Sequence, residues 1–296
     1  MITEDIRGAA QPGPVGSMSQ NPCFSHFEPW GGVVPKGYQM NFIGARSKEE
    51  YVTDFRSPER MWQSPYPGFD EEYFEWVDLL ESVLEARDVF VMFELGAGFG
   101  RWTVNGAIAA SRLGKRYKTL AIEAEPMHFK WLEDNIEANG IDRGECRLIQ
   151  GAVAAIDGRA DFYMGNPTNW YGQRLRFRND HMFSRFRLKR DVKPRSVQTT
   201  SLNTLLKDYD RVDFIDVDIQ GSERAVLESS RETINRKVKR IHIGTHSHGI
   251  EAGLRTLFDG LRWKVHFDFP CQGESGTPYG KIKFQDGVQS WINPNL

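Results

Sequence analysis

Apolar residues recur along this chain in two alternating rhythms. Behind Asp70-Glu71-Glu72, whose acids suit a helix N-terminus, Phe74, Val77, Leu80 and Leu84 follow at helical spacing and predict a helix. The run Val89–Glu94 is short, continuous and apolar, as a buried strand is. The same alternation continues: a helix over 101–113, a strand over Thr119–Glu123, and a helix opened by Pro126 and closed by Asn139-Gly140. A strand over Cys146–Gln150 follows, then a hairpin around Gly158 to Met164 and a polar insert reaching about Val197. Past it the pattern gives a strand over 212–218, a helix from Ser222, a strand over Arg240–Thr245 and a helix from Ile250. Two late strands are expected near Trp263–Phe267 and Lys281–Phe284. Strands alternating with helices in this way predict an α/β doubly wound, mostly parallel sheet.

Composition divides the chain. Eight of the 14 prolines precede residue 68, and no aromatic residue occurs before Phe24, so residues 1–21 are expected to be a flexible tail. Residues 22–69 interleave Phe24, Phe27, Trp30, Phe42, Tyr51, Phe55, Trp62 and Tyr66 with glycines and prolines, too aromatic to be left in water. They are expected to pack on the core as a brace; a lid or a dimer arm is the other reading, which leaves a homodimer open. Residues 70–296 then form the main domain, with a basic insert at about 165–197. At 296 residues and 40% hydrophobic content the chain can bury a full core. No stretch is long and apolar enough to span a bilayer, and no signal-peptide pattern opens the chain, so a cytoplasmic location is expected. A net charge of −2 disfavours nucleic acid as the main partner, and Cys23, Cys146 and Cys271 suggest neither a disulfide framework nor a cysteine metal site.

Candidate chemistry begins where the first strand ends. Glu94-Leu-Gly96-Ala97-Gly98-Phe-Gly100 places an acid ahead of three glycines, and Arg101 stands where a dinucleotide fingerprint has its third glycine. The order suits S-adenosyl-L-methionine, whose ammonium an acid at the strand tip can hold and whose backbone the glycines let approach. Glu123, at the tip of the second strand, is placed to meet the ribose hydroxyls, with Glu125 as a helix-capping acid beside Pro126. Adenine is expected over Gln150, Gly151, Ala152 and Val153, where small side chains leave backbone groups accessible.

Three blocks resemble the FkbM family of S-adenosylmethionine-dependent methyltransferases, over about residues 90–267. They are Glu94 through Thr103; Ile122-Glu123-Ala-Glu-Pro126 with Leu132, Asn135 and Asn139; and Thr200-Ser-Leu202 with Val212-Asp213-Phe214-Ile215-Asp216-Val217-Asp218-Ile219-Gln220-Gly221-Ser222-Glu223. The resemblance implies the class I methyltransferase (Rossmann-like) sheet with an antiparallel last strand. It also implies methyl transfer to hydroxyl oxygens of sugars, polyketides and related metabolites. Gly98, Asp216 and Gln220 depart from the family pattern, which usually has Asn, Lys and Glu there.

Strand alternation puts Asp216 and Asp218 on one face at the carboxyl end of the fourth strand, and His246 at the end of the next strand faces the same cleft. Three roles fit them: a general base, Asp218 or His246; ligands for Mg²⁺ or Mn²⁺; or hydrogen bonding that only supports the fold. His242 and His248 are expected to be packing or surface residues. Residues 174–195 hold nine Lys or Arg against two acids. Such a run is either a solvated face or a lid for an anionic acceptor, with Arg174 and Arg176 in contact and Trp170 and Tyr171 stacking on a sugar or glycan. The expected protein is an O-methyltransferase of a small metabolite, sugar or glycan precursor. A cofactor-binding module without catalysis and a Rossmann oxidoreductase are the alternatives.

Overall fold

The computed structural model describes residues 19–166, 173–176 and 194–296. Seven strands form the main sheet: β1 (Val89–Leu95), β2 (Arg116–Glu123), β3 (Cys146–Gln150), β4 (Val212–Val217), β5 (Val238–Thr245), β6 (Lys264–Phe269) and β7 (Gly287–Ile292). Their order is β6-β7-β5-β4-β1-β2-β3, and β7 alone runs antiparallel to its neighbours. This is the sheet that the FkbM resemblance implies. The chain winds one way from β1 to β3 and the other way from β4, so a crevice opens at the carboxyl ends of β1 and β4.

Period-two alternation assigns the faces. Phe90, Met92 and Phe214 join a core with helices α1 (Glu72–Glu85), α2 (Arg101–Arg112) and α3 (Pro126–Ala138). Phe93, Leu95, Ile215 and Val217 point the other way, toward α4 (Leu202–Leu206), α5 (Glu223–Ser229), α6 (Arg231–Lys237) and α7 (His248–Leu261). Both faces are covered, which is why β1 reads as a continuous apolar run up to Glu94 and why all six residues of β4, Asp213 and Asp216 included, are buried.

Three expectations need correction. The last strand of the sheet is Gly287–Ile292, whereas Gly280–Phe284 pairs with Gly273–Thr277 in a separate hairpin. β7 escapes an apolar pattern because Gln289 and Ser290 are buried with partners: Gln289 Nε2 donates to the Glu251 carbonyl at 3.2 Å and Ser290 Oγ to Asp78 at 2.7 Å. Gly158–Tyr163 is not half of a local hairpin. It pairs with Pro194–Ser201 beyond the insert and with Arg174–Leu175 in a second, four-stranded sheet. Finally, β4 stops at Val217, so Asp218 lies just past the sheet.

The chain ahead of α1 lies on the first core. Phe24 stacks on Tyr73 at 5.3 Å between ring centroids and Phe42 meets Trp76 edge-on at 4.8 Å, each ring worth about 1.5–3 kcal/mol when fully buried. Asn41 Nδ2 donates to Asn105 of α2 at 2.8 Å. Beneath α1, Asp78 is fully buried in a polar seam of Arg240 at 2.9 Å, His242 at 2.7 Å, His266 at 2.8 Å and Ser290 at 2.7 Å. Burial opposes the charge of Asp78, but hydrogen bonds from His242 and His266, with Arg240 beside them, hold its carboxyl well below the usual range.

Candidate active site

The turn after β1 is shaped by backbone contacts. The amides of Gly96 and Ala97 both donate to the Ile122 carbonyl at 3.0 Å, and Asp218 N donates to the Leu95 carbonyl at 2.9 Å, tying the tips of β1, β2 and β4 together. Gly96, Gly98 and Gly100 all have positive φ, at 85°, 54° and 75°. A Cβ on Gly96 would lie 1.8 Å from the Asp218 carbonyl oxygen, so the strand tips can approach only because this residue has none. Gly100 serves packing: it precedes α2, and a Cβ there would strike Leu132 of α3 at 2.2 Å.

The two acids at the strand tips hold this turn. Glu94 accepts from Trp102 N at 3.0 Å, Thr103 N at 2.8 Å and Thr103 Oγ1 at 2.5 Å, closing the start of α2. Glu123 accepts from Gly98 N at 2.8 Å and Glu125 N at 2.7 Å. Burial pushes each carboxyl up to about 7 against those hydrogen bonds. Glu125 caps α3 through His128 N at 2.7 Å.

Two cavities meet at this turn. The first lies between the glycines and the second sheet. Its floor includes Glu123, Gly151, Ala152 and Val153, and its far wall Phe162, Gln173 and Leu175. The second is a larger cleft under α1, lined by Glu75, Glu94, Ala97, Asp216 and Asp286 among others. Gly96, Gly98, Asp218 and Gln220 border both.

His246 stands beside that border. Its Nδ1 lies 2.8 Å from Oε1 of the fully buried Glu223, and its Nε2 lies 3.4 Å from Asp218 Oδ1, 2.9 Å from Gln220 Nε2 and 4.0 Å from Asp286 Oδ1. Burial opposes a charge on the ring, but the Glu223 hydrogen bond and the Asp218 carboxylate push His246 up to about 9, so it carries two protons at neutral pH. With the ring charged, Nδ1 donates to Glu223 and Nε2 faces the Asp218 carboxylate, to which Gln220 Nε2 also donates at 3.0 Å. Asp218 is 51% exposed to the cleft, and the enclosing walls hold its carboxyl above the usual range.

The structure separates residues that alternation placed together. Asp218, Glu223 and His246 converge within 4.8 Å, while Asp216 lies outside that group, so the ligand set Asp216, Asp218 and His246 is not assembled. Asp216 instead faces Glu75 of α1, because the strand ends between it and Asp218. Arg174 lies over the ring of Tyr163 at 5.7 Å and Arg176 pairs with Asp161 at 3.3 Å; neither lines the two cavities, whereas Gln173 and Leu175 do. Trp170 and Tyr171 fall outside the described residues, as does most of the basic run. His242 is tied to Asp78, and the exposed His248 to Glu251 at 2.9 Å. Sequence reasoning missed Glu75, Phe162, Gln220, Glu223 and Asp286. Glu223 and Gln220 lie inside the third motif block, and the acid at the first position of α5 was their available signal.

The profile of the methyltransferase FkbM domain matches residues 94–263. A relative from Jannaschia sp. (strain CCS1), named "Putative methyltransferase", is 28% identical over 285 residues, covering 91% of this chain and 97% of its own. Among solved structures, methyltransferase FkbM from Methylobacillus flagellatus KT is 15% identical with a TM-score of 0.45, over 70% of this chain and 45% of that one. Precorrin-6y C5,15-methyltransferase from Geobacter metallireducens GS-15 is 12% identical with a TM-score of 0.43, over 86% and 98%. No helix among the described residues is long and apolar enough to cross a membrane.

Proposed function

The chain belongs to the methyltransferase FkbM domain family, and we propose that it transfers the methyl group of S-adenosylmethionine to a hydroxyl of a small metabolite, sugar or glycan precursor. The observation that carries this reading is the meeting of two unlike cavities at Gly96, Gly98, Asp218 and Gln220. The smaller fits the donor. Ala152, Val153, Phe162 and Leu175 suit an adenine ring, Glu123 can accept from ribose hydroxyls, and the glycine turn leaves room for the amino-acid end. The larger cleft is left for the acceptor.

When bound, the donor offers a sulfonium methyl carbon: an acceptor oxygen lone pair forms the O–C bond, and the C–S pair returns to sulfur as a neutral thioether. The hydroxyl proton remains to be placed, and Asp218, at the border and open to the cleft, takes it. His246, charged and held by Glu223, keeps the Asp218 carboxylate oriented and favours its ionised form.

Calorimetry with S-adenosylhomocysteine, followed by mass detection of methyl transfer to sugars and glycan precursors, tests the reading. Asp218→Asn should lower kcat by roughly 10²–10⁴ with S-adenosylhomocysteine affinity unchanged, the range for a lost general base. Full activity in that variant would remove Asp218 from the chemistry. Inhibition by chelator, reversed by Mg²⁺ or Mn²⁺, would replace the carboxylate base with a metal.

A further inference from the structure

Away from the two cavities, three unlike donor groups converge at the start of α7. His248 is the first residue of that helix, Glu251 lies one turn on, and Cys271 follows the end of β6. Residues three apart share a helix face, and His248 Nδ1 lies 2.9 Å from Glu251 Oε2. Cys271 reaches the same place: its amide donates to Glu251 Oε1 at 2.7 Å and its Sγ lies 3.9 Å from His248 Nδ1. A nitrogen, a carboxylate oxygen and a sulfur thus stand within 4.8 Å of one another. None of the three residues lines either cavity. Helix capping does not account for them, because Ser247 already caps α7 through Ile250 N at 3.3 Å.

The separations match a ligand set. A tetrahedral ion bonded at about 2.0–2.1 Å to nitrogen and oxygen and about 2.3 Å to sulfur holds N and O about 3.3 Å apart and N and S about 3.6 Å apart. The observed 2.9 and 3.9 Å fall on either side of these values, and the 69%-exposed His248 side chain has room to close the difference. The other two donors are held from behind. Glu251 Oε1 also accepts from Thr245 Oγ1 at 3.2 Å, which leaves Oε2 turned to His248. A Cβ on Gly287 would lie 2.6 Å from Glu251 Oε1 and 2.7 Å from Cys271 N, so the start of β7 closes over this side only because residue 287 is glycine. Outer hydrogen bonds of this kind orient metal ligands. Glu251 and Cys271 are each 1% exposed while His248 opens to solvent, which gives an ion an entry path and a fourth position for water.

We propose that His248 Nδ1, a Glu251 carboxylate oxygen and Cys271 Sγ form a binding site for one Zn²⁺ ion, separate from the site of methyl transfer. Sulfur and imidazole beside a single carboxylate suit Zn²⁺, whereas Mg²⁺ and Ca²⁺ take mostly oxygen ligands. On binding, the Cys271 thiol releases its proton to solvent, His248 keeps its proton on Nε2, and the hydrogen bond between His248 and Glu251 gives way to two metal bonds. The ion ties the start of α7 to the chain behind β6, beside Thr245 at the tip of β5. No pair of nearby cysteines announces the site in the sequence, because Cys271 is 20 positions from Glu251.

Co²⁺ is the probe, because a bound thiolate gives it a charge-transfer absorption in the near ultraviolet that imidazole and carboxylate do not. It is titrated into the reduced full chain without a histidine tag. One equivalent of Co²⁺ should raise the band, one equivalent of Zn²⁺ should remove it, and the same amount of Mg²⁺ should leave it. Cys271→Ser should abolish the band. Losing even an outer partner of a metal ligand costs roughly 10–100-fold in affinity, so His248→Ala, which removes a ligand, should weaken Zn²⁺ binding at least tenfold. The exposed His248 carries the test if Cys271→Ser does not fold. Asp218, Glu223 and His246 are the other such group among the described residues, so Asp218→Asn should leave Zn²⁺ affinity unchanged. Absence of the band in wild-type protein, a band that survives Cys271→Ser, or equal Zn²⁺ affinity in His248→Ala overturns the proposal. A loss of Zn²⁺ binding in Asp218→Asn overturns it too, by moving the ion to the cleft.

Discussion

Glu223→Gln isolates the charge that holds His246. Both Gly221 N and His246 Nδ1 reach Glu223 Oε1, at 2.8 Å each, and Oε2 has no partner. A glutamine keeping its oxygen at that place preserves both hydrogen bonds and removes the negative charge. Raising the ring from 6.5 to about 9 is worth about 3 kcal/mol in favour of the charged form, at 1.36 kcal/mol per tenfold. Asp218 and Asp286 supply the rest of the negative field and remain in the variant. A hydrogen bond to a charged group contributes about 1.5–3 kcal/mol, so His246 in Glu223→Gln should titrate about one to two pH units lower. Its Cε1 proton, followed by NMR in both proteins, reads this directly. Stability carries the same signature. Because the folded value lies above the unfolded one, the stabilising contribution is complete below pH 6.5 and is lost as pH rises through 9. Urea unfolding should therefore show wild-type protein weakening between pH 6.5 and 9, and the variant weakening much less over that window. Glu94 and Glu123 act mostly in a lower window, from 4.5 to about 7, and are present in both proteins, so the difference between wild type and variant removes them. A variant whose His246 still titrates near 9 would refute the assignment of Glu223 as the residue that charges and orients the ring.

Two further outcomes follow from the glycine turn. Gly96→Ala should destabilise the protein by at least about 3 kcal/mol, because a left-handed φ costs an alanine 1–2 kcal/mol and its Cβ would strike main chain of the β4 tip; a urea-measured loss below about 1 kcal/mol would contradict this. Glu123→Gln should weaken donor binding and flatten its pH dependence. In the wild-type protein the carboxyl, pushed up to about 7 by burial, must ionise to accept ribose hydroxyls, so affinity should rise from pH 6 to 8 with release of a proton. Calorimetry in buffers of different ionisation heat that detects no proton release would set Glu123 apart from the ribose.

The sequence was most legible where one element sufficed to interpret it. β1, the second half of β2 and β4 are buried strands with an acid at or next to their carboxyl ends, and their order with an antiparallel last strand follows from the family's blocks. It was least legible where burial is polar. Gln289 and Ser290 hide β7 because a buried strand with satisfied side chains has no apolar rhythm. Helix α1 shows the same difficulty: Glu72, Glu75 and Asp78 look like a solvated face, yet Asp78 is 0% exposed, and Arg240, His242, His266 and Ser290, all more than 150 positions away, make that possible.

The lining of the larger cleft turns on the same distinction between what is near in sequence and what is near in space. Residues 174–195 concentrate nine cations in one stretch, and a linear reading takes that as the recognition surface. The cleft wall draws Glu75 from α1, Glu94 from β1, Asp216 and Asp218 from the end of β4, and Asp286 from the turn before β7, none of them part of a conspicuous run. Electrostatic attraction at a site is set by charges within a few ångströms behind low-dielectric walls, and those outside it fall off within about 8 Å at physiological salt. Arg174 and Arg176, already engaged with Tyr163 and Asp161, line neither cavity. Among the described residues the cavity linings are therefore assembled from elements far apart in the chain, and the described part of the basic run contributes Gln173 and Leu175 to them rather than its cations.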